Sequence, residues 1–100
     1  MKYILVTGGS RGIGRAVCLS LVSLKMPILI NYCSNTSAAE ETKRLIEEQG
    51  GVAELLPFNV AKKDECEEAI RKWEEAHPDD YVSVLVNNAG IRRDNVMFMM

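Results

Sequence analysis

The sequence predicts an α/β protein built on a doubly wound parallel sheet, with strands one to four and their intervening helices present and the rest of the sheet missing. Two observations carry that prediction. Four short runs, Tyr3–Val6, Ile28–Tyr32, Val52–Leu56 and Tyr81–Val86, read as strands, and the first and last are apolar with little alternation, which suits strands covered on both faces. Segments with helical spacing of apolar residues lie between them, and crossovers of that length demand parallel neighbours joined by right-handed connections. No repeat, low-complexity segment or linker divides the chain, so residues 1–100 are expected to be the N-terminal part of a single domain.

Each element has local support. Helix one is expected from about Gly12 to Leu24, with Ile13, Ala16, Val17, Leu21 and Leu24 sharing a buried stripe. Lys25-Met26-Pro27 breaks it, and Pro27 is acceptable at the start of strand two. After the loop Cys33-Ser34-Asn35-Thr36, the capping pattern Ser37-Ala38-Ala39-Glu40 predicts the start of helix two, which stops at Gly50-Gly51. Strand three ends near Pro57. Asp64 with Glu67 gives a second capping pattern, followed by Cys66, Ala69, Ile70, Trp73 and Ala76 at helical spacing. His77-Pro78-Asp79-Asp80 ends helix three and places His77 in a surface loop. Asn95 to Met100 reads as the start of another helix, with nothing to cover the outer edge of strand four.

Composition narrows the function classes. With 12 Lys and Arg against 14 Asp and Glu, the net charge of -2 and the absence of a basic cluster argue against a nucleic-acid partner. No apolar run is long enough to span a membrane, and Lys2 followed by Ile4-Leu5-Val6 is too short for a signal-peptide core. The three cysteines, Cys18, Cys33 and Cys66, are odd in number and lack metal spacing, which predicts reduced thiols in a cytoplasmic protein and no metal site. Glu74-Glu75 and Asp79-Asp80 read as solvated charges.

The chemistry concentrates at Thr7-Gly8-Gly9-Ser10-Arg11-Gly12-Ile13-Gly14, between strand one and helix one. Glycines let backbone N–H groups approach a phosphate, and a helix N-terminus adds unpaired N–H groups and partial positive charge. The spacing is not G-x-G-x-x-G, and no Gly-Lys-Ser/Thr follows, which excludes a Walker-type loop. An NAD site places Asp or Glu near the end of strand two for the ribose 2′-hydroxyl. Here Asn31-Tyr32-Cys33-Ser34 stands there, and Arg11 adds a cation within the turn, which together favour a 2′-phosphate and hence NADP.

Together with Asn87-Asn88-Ala89-Gly90 after strand four, the glycine turn resembles the T-G-x-x-x-G-x-G and N-N-A-G signatures of the short-chain dehydrogenase/reductase family. The stretch Asn88-Ala89-Gly90-Ile91-Arg92-Arg93-Asp94-Asn95 looks like the N-A-G-I-T-R-D-N of bacterial 3-oxoacyl-[acyl-carrier-protein] reductases, with Arg92 in place of the usual Thr. The resemblance implies a Rossmann-like fold and NADPH as cofactor. Gly8, Gly9, Ser10, Arg11, Gly12, Ile13 and Gly14 would line the pyrophosphate and adenosine ribose, and Cys33 and Ser34 would meet the 2′-phosphate. Asn59 and Val60 would contact adenine, although many family members have Asp at the first position. Asn88, Ala89 and Gly90 would lie beneath the nicotinamide ribose, while Asn87 would tie strand-end loops together. The implied reaction is reduction of a 3-oxoacyl thioester, carried by acyl-carrier protein, to the 3-hydroxyacyl form in fatty-acid synthesis. The alternatives are another ketone-reducing member or a nucleotide-binding module without catalysis. The implied complete enzyme is a homotetramer.

The family's catalysis uses a Ser and a Tyr and Lys spaced Y-x-x-x-K. Four residues after Tyr3, Tyr32 and Tyr81 stand Thr7, Thr36 and Leu85. No catalytic residue is therefore assigned, and the chain is expected to be the cofactor-binding part, inactive by itself.

Overall fold

The computed structural model describes residues 1–8, 12–59, 61–87 and 95–98, and the side chains of all of these except 87 and 95–98. The elements are β1 (Lys2–Val6), α1 (Gly12–Leu21), β2 (Ile28–Tyr32), α2 (Thr36–Glu48), β3 (Ala53–Pro57), α3 (Lys63–Ala76), β4 (Tyr81–Asn87) and β5 (Asn95–Phe98). They form one sheet of order β3-β2-β1-β4-β5. The first four strands are parallel, with Ile4 opposite Ile28, Ile28 opposite Ala53 and Val6 opposite Val86. This is a Rossmann-like arrangement. The chain runs from β1 outward through β2 to β3, then crosses back to β4 on the other side of β1. A topological switch point therefore lies between β1 and β4, at the ends of the sheet where such folds bind ligands.

The lack of alternation in the strands has a direct cause, because both faces are covered. Ile4, Val6, Ile28, Ile30 and Val86 pack with Cys18 of α1 and Ala39 and Ile46 of α2. The alternate residues Tyr3, Leu5, Leu29 and Val82 pack with Trp73 of α3 and with Phe58.

Several local expectations are corrected. The α-helix ends at Leu21, and a 3₁₀ turn (Val22–Leu24) follows and closes on Lys25, which takes a left-handed φ of 59°. Gly14 and Cys18 are the buried residues of α1, whereas Ile13, Ala16 and Leu24 are exposed; Ile13 precedes the packed turns, and Leu24 lies where the 3.6-residue period has lapsed. Asn35, not Ser37, caps α2, its side chain accepting from the Ala38 N–H. Helix α3 begins one residue before Asp64 with Lys62 at its cap and no side-chain cap bond, so Asp64 serves the first-turn dipole instead. Ala76, expected on the inner face, is exposed.

His77 is not a loose surface residue. It caps α3, stacks on Trp73 with centroids 4.4 Å apart, bonds Trp73 O through Nδ1 at 2.8 Å, and places Nε2 3.7 Å from Glu54 of β3. Of the acidic pairs, Glu74 is half-buried and accepts from Val82 N–H at 2.9 Å, and Asp80 meets the N-terminal ammonium at 3.0 Å. Glu75 conforms to expectation as an exposed partner of Arg71.

The tail is corrected most. Residues 95–98 form a strand, antiparallel to β4, with Val86 opposite Val96 and Val84 opposite Phe98. A four-residue segment with three apolar residues carries no decisive period, and the open edge of β4 supplies backbone donors and acceptors that a strand satisfies. No helix among the described residues is long and apolar enough to cross a membrane.

Buried acids make stability fall at alkaline pH. Burial pushes the Cys18 thiol up to about 12, and burial followed by donation to Glu54 pushes the Tyr3 hydroxyl up to about 12. Both folded values exceed the unfolded ones of 9.0 and 10.0, so the contribution is complete below those and disappears as pH rises towards 12. The melting midpoint is expected to drop over that window, and Cys18→Ala to remove the thiol's share of the drop. In the native protein at about pH 8, exposed Cys33 should react first with a thiol reagent and Cys18 only on unfolding.

Candidate functional site

The candidate site stands at the C-terminal ends of β1 and β2. Thr7 locks the end of β1 to β4: its N–H and Oγ1 donate to Val86 O at 3.0 and 3.4 Å. The chain then turns through Gly8 at φ 66° and enters α1 at Gly12 with φ 62°, conformations that L side chains rarely adopt. Among the described residues, a Cβ added to Gly12 would meet nothing within 4 Å, so the backbone at that position is open on that side. Gly14 is one of the two buried residues of α1. The first turn of α1 holds no acidic residue, and Ile13 is 69% exposed. An open helix N-terminus free of carboxylates, entered through a left-handed glycine, fits a pyrophosphate.

Arg15 ties α1 to α2 beside this opening. Its Nε donates to Thr42 Oγ1 at 2.9 Å and its Nη2 to Ala38 O at 3.0 Å, fixing α1 against α2. Cys33 and Ser34 follow β2 directly and are exposed, just before the Asn35 cap of α2. Asn59 follows β3, and its side-chain oxygen accepts from Ala61 N–H at 2.9 Å while its carbonyl accepts from Lys62 N–H at 3.0 Å. Beside it, between the end of β3 and α3, lies a groove of about 490 Å³ lined by Phe58, Asp64, Glu65, Glu68, Ala69 and Lys72 among others. Its three carboxylates against one ammonium make it the wrong sign for a phosphate.

Of the residues singled out from sequence, Gly8, Gly12, Ile13, Gly14, Cys33, Ser34 and Asn59 are described, and all follow the C-terminal ends of β1, β2 or β3. Gly9, Ser10, Arg11, Val60, Asn88, Ala89 and Gly90 lie outside the described residues, as does the Asn87 side chain. Two residues of these stretches, Thr7 and Asn31, carry structural roles that the sequence does not assign to them. Asn31 is 1% exposed and joins the glycine turn to the end of β3. The signal available was a polar residue in the otherwise apolar Ile28-Leu29-Ile30 strand.

Fold, glycine turn and sequence together define a class: the chain belongs to the short-chain dehydrogenase/reductase family, whose short chain dehydrogenase profile matches residues 2–99. Among its relatives, a 3-oxoacyl-[acyl-carrier-protein] reductase of a Synechocystis species is 40% identical over 99 residues, which make up 99% of this chain and 39% of that protein. The 3-oxoacyl-[acyl-carrier-protein] reductase FabG of Staphylococcus epidermidis is also 40% identical, over 99% of this chain and 40% of its own length. The chain thus spans about two fifths of these reductases. It is 37% identical to the short-chain dehydrogenase/reductase homolog YusS of Bacillus subtilis, over 92% of this chain and 83% of that protein.

Proposed function

We propose that residues 1–100 form the dinucleotide-binding part of a single-domain, NADP-dependent oxidoreductase that reduces a 3-oxoacyl thioester on acyl-carrier protein, as a homotetramer. The observation that carries the binding role is the left-handed, unobstructed Gly12 at the N-terminus of α1 beside the sheet's switch point. The substrate class is supported by the names of the relatives that are 40% identical to the chain.

In this reading the glycine turn from Gly8 to Gly14 holds the pyrophosphate and adenosine ribose. Cys33, Ser34 and Arg11 receive the 2′-phosphate, Asn59 and Val60 contact adenine, and Asn88, Ala89 and Gly90 support the nicotinamide ribose. Bound NADPH supplies a hydride. The chain's own contribution is backbone N–H groups and a helix dipole aimed at the phosphates, with no carboxylate in the first turn of α1 to oppose them.

The test is titration of the purified protein with NADPH and NADH. NADPH is expected to bind about tenfold tighter or more, and Arg11→Ala to erase most of that difference through loss of a charge-assisted contact. Retention of full preference by the variant removes Arg11 from the 2′-phosphate site, and failure to bind either dinucleotide removes the function.

A second reading, a nucleotide-binding module without catalysis, is favoured by two observations: Y-x-x-x-K is missing, and YusS is a relative of comparable length. Coding DNA that continues in frame past Met100 into a Ser and Y-x-x-x-K favours the reductase. A stop codon there in an intact gene favours the module.

A further inference from the structure

The floor beneath the glycine turn is held by one buried amide. Asn31 is the fourth residue of β2, 1% exposed, and follows three residues that are themselves fully buried. Its Oδ1 accepts from the Gly8 N–H at 3.2 Å. Its Nδ2 donates to Leu56 O at 3.2 Å and to Phe58 O at 3.1 Å. One side chain thereby bonds the turn after β1 and the segment that leads from β3 to Asn59.

These bonds are specific to an amide. Reaching the Gly8 N–H takes an acceptor and reaching the two carbonyls takes two donors, a combination that Asn or Gln supplies from one planar group. Asn has the shorter reach and fits within the strand. An apolar residue would continue the run Ile28-Leu29-Ile30 and pack as well, but it would remove three hydrogen bonds from a largely buried region. The oxygen of Asn31 faces Gly8, so it points into the fold rather than towards a ribose.

We propose that Asn31 is a positioning residue for the dinucleotide: it sets the separation between the phosphate-binding turn at Gly8 and the adenine-side segment at Phe58 and Asn59. The inference rests on the dinucleotide reading above. The two walls belong to β1 and β3, which are not neighbours in the sheet, and Asn31 on the intervening β2 spans both. The backbone bond from Phe58 N–H to Tyr32 O, at 3.0 Å, continues the same tie one residue further out. Loss of the amide frees the walls to move relative to each other and spreads the binding surfaces over many geometries, which weakens a ligand that must touch both.

The experiment measures NADPH affinity by fluorescence titration in the purified protein, its Asn31→Ala variant and its Asn31→Asp variant, each well below its own melting midpoint. Asp keeps an acceptor for Gly8 but turns a carboxylate onto the Leu56 and Phe58 carbonyls until it gains a proton. Both variants are expected to bind about tenfold more weakly or worse at about pH 8. Asn31→Asp should recover part of that loss at about pH 5.5, relative to the unsubstituted protein at the same pH, because the protonated carboxyl donates again. Asn31→Ala should not recover.

A role in stability alone would lower the melting midpoints and leave the affinity of the folded variants unchanged, and that result overturns the proposal. Absence of NADPH and NADH binding to the unsubstituted protein overturns the dinucleotide reading instead. If the variants do not fold, the unsubstituted protein decides by NMR. The Asn31 side-chain amide protons should be protected from exchange and should shift on saturation with NADPH. Unprotected or unmoved signals overturn the proposal.

Discussion

Gly12→Val is expected to cost about 100-fold in NADPH affinity, whereas Gly50→Val, also at a positive φ, is expected to cost none. The two glycines form a matched pair. Gly12 has φ 62° and Gly50 has φ 85°, and a Cβ at either would meet nothing within 4 Å. Each substitution forces a side chain into the left-handed region, at about 1–2 kcal/mol and roughly 5–10 °C of melting midpoint for a chain of this size. Their surroundings differ. Gly12 opens α1 at the C-terminal end of β1, while Gly50 follows α2 at the other end of the sheet, just before β3. Stability should therefore fall alike in both variants and affinity in only one. The alanine variants should show the same division with a smaller loss of affinity. Equal losses of affinity would mean that the Gly12 effect is general strain, and the start of α1 would no longer be a phosphate site.

The sheet was legible because burial on both faces removes polar residues from its strands. The bounds Ile28–Tyr32 were readable to the residue, since Pro27 and the polar Cys33-Ser34 flank a run buried through Asn31. Errors came where two local patterns compete or where a distant contact decides. Ser37 and Asn35 both suit a helix cap, and Asn35 takes the role two residues earlier in the chain. Residues 95–98 are too few to express a period, and the unpaired edge of β4 made them a strand. His77 follows a helix and precedes a proline, which locally describes a surface loop, but Trp73 and Glu54 hold its ring.

The site divides in the same way. Gly8 and Gly12 were legible because positive φ leaves few alternatives to glycine, and Gly14 belongs to the same motif and is buried. Asn31 was noticed in the sequence only as the absence of a carboxylate. Its hydrogen bonds reach partners 23, 25 and 27 positions away, and no window along the chain contains them.

No oxidation of NADPH is expected when the purified 100-residue chain is mixed with a β-keto thioester, even where NADPH binds. Reduction of a ketone by hydride requires a proton donor at the developing alkoxide, and a positioned donor contributes about 10²–10⁴-fold. The family resemblance assigns that task to a Tyr whose proton is loosened by a Lys four residues later. Tyr3 cannot take the role. It lies near the start of β1, away from the glycine turn, its hydroxyl is committed to Glu54 at 2.8 Å, and it is pushed up to about 12, opposite to the direction a donor near neutral pH needs. Tyr81 opens β4 beside Lys2 at that same end of the sheet. Tyr32 ends β2 close to the site, but it packs against the first hydrophobic cluster, and four residues on stands Thr36, the first residue of α2, with no ammonium to offer. The measurement is NADPH absorbance over time, with binding recorded in parallel. Binding without turnover is the expected outcome. Turnover above the buffer rate would show that a group in this chain other than a Tyr-Lys pair donates the proton, and the division between holding the hydride donor and using it would fail.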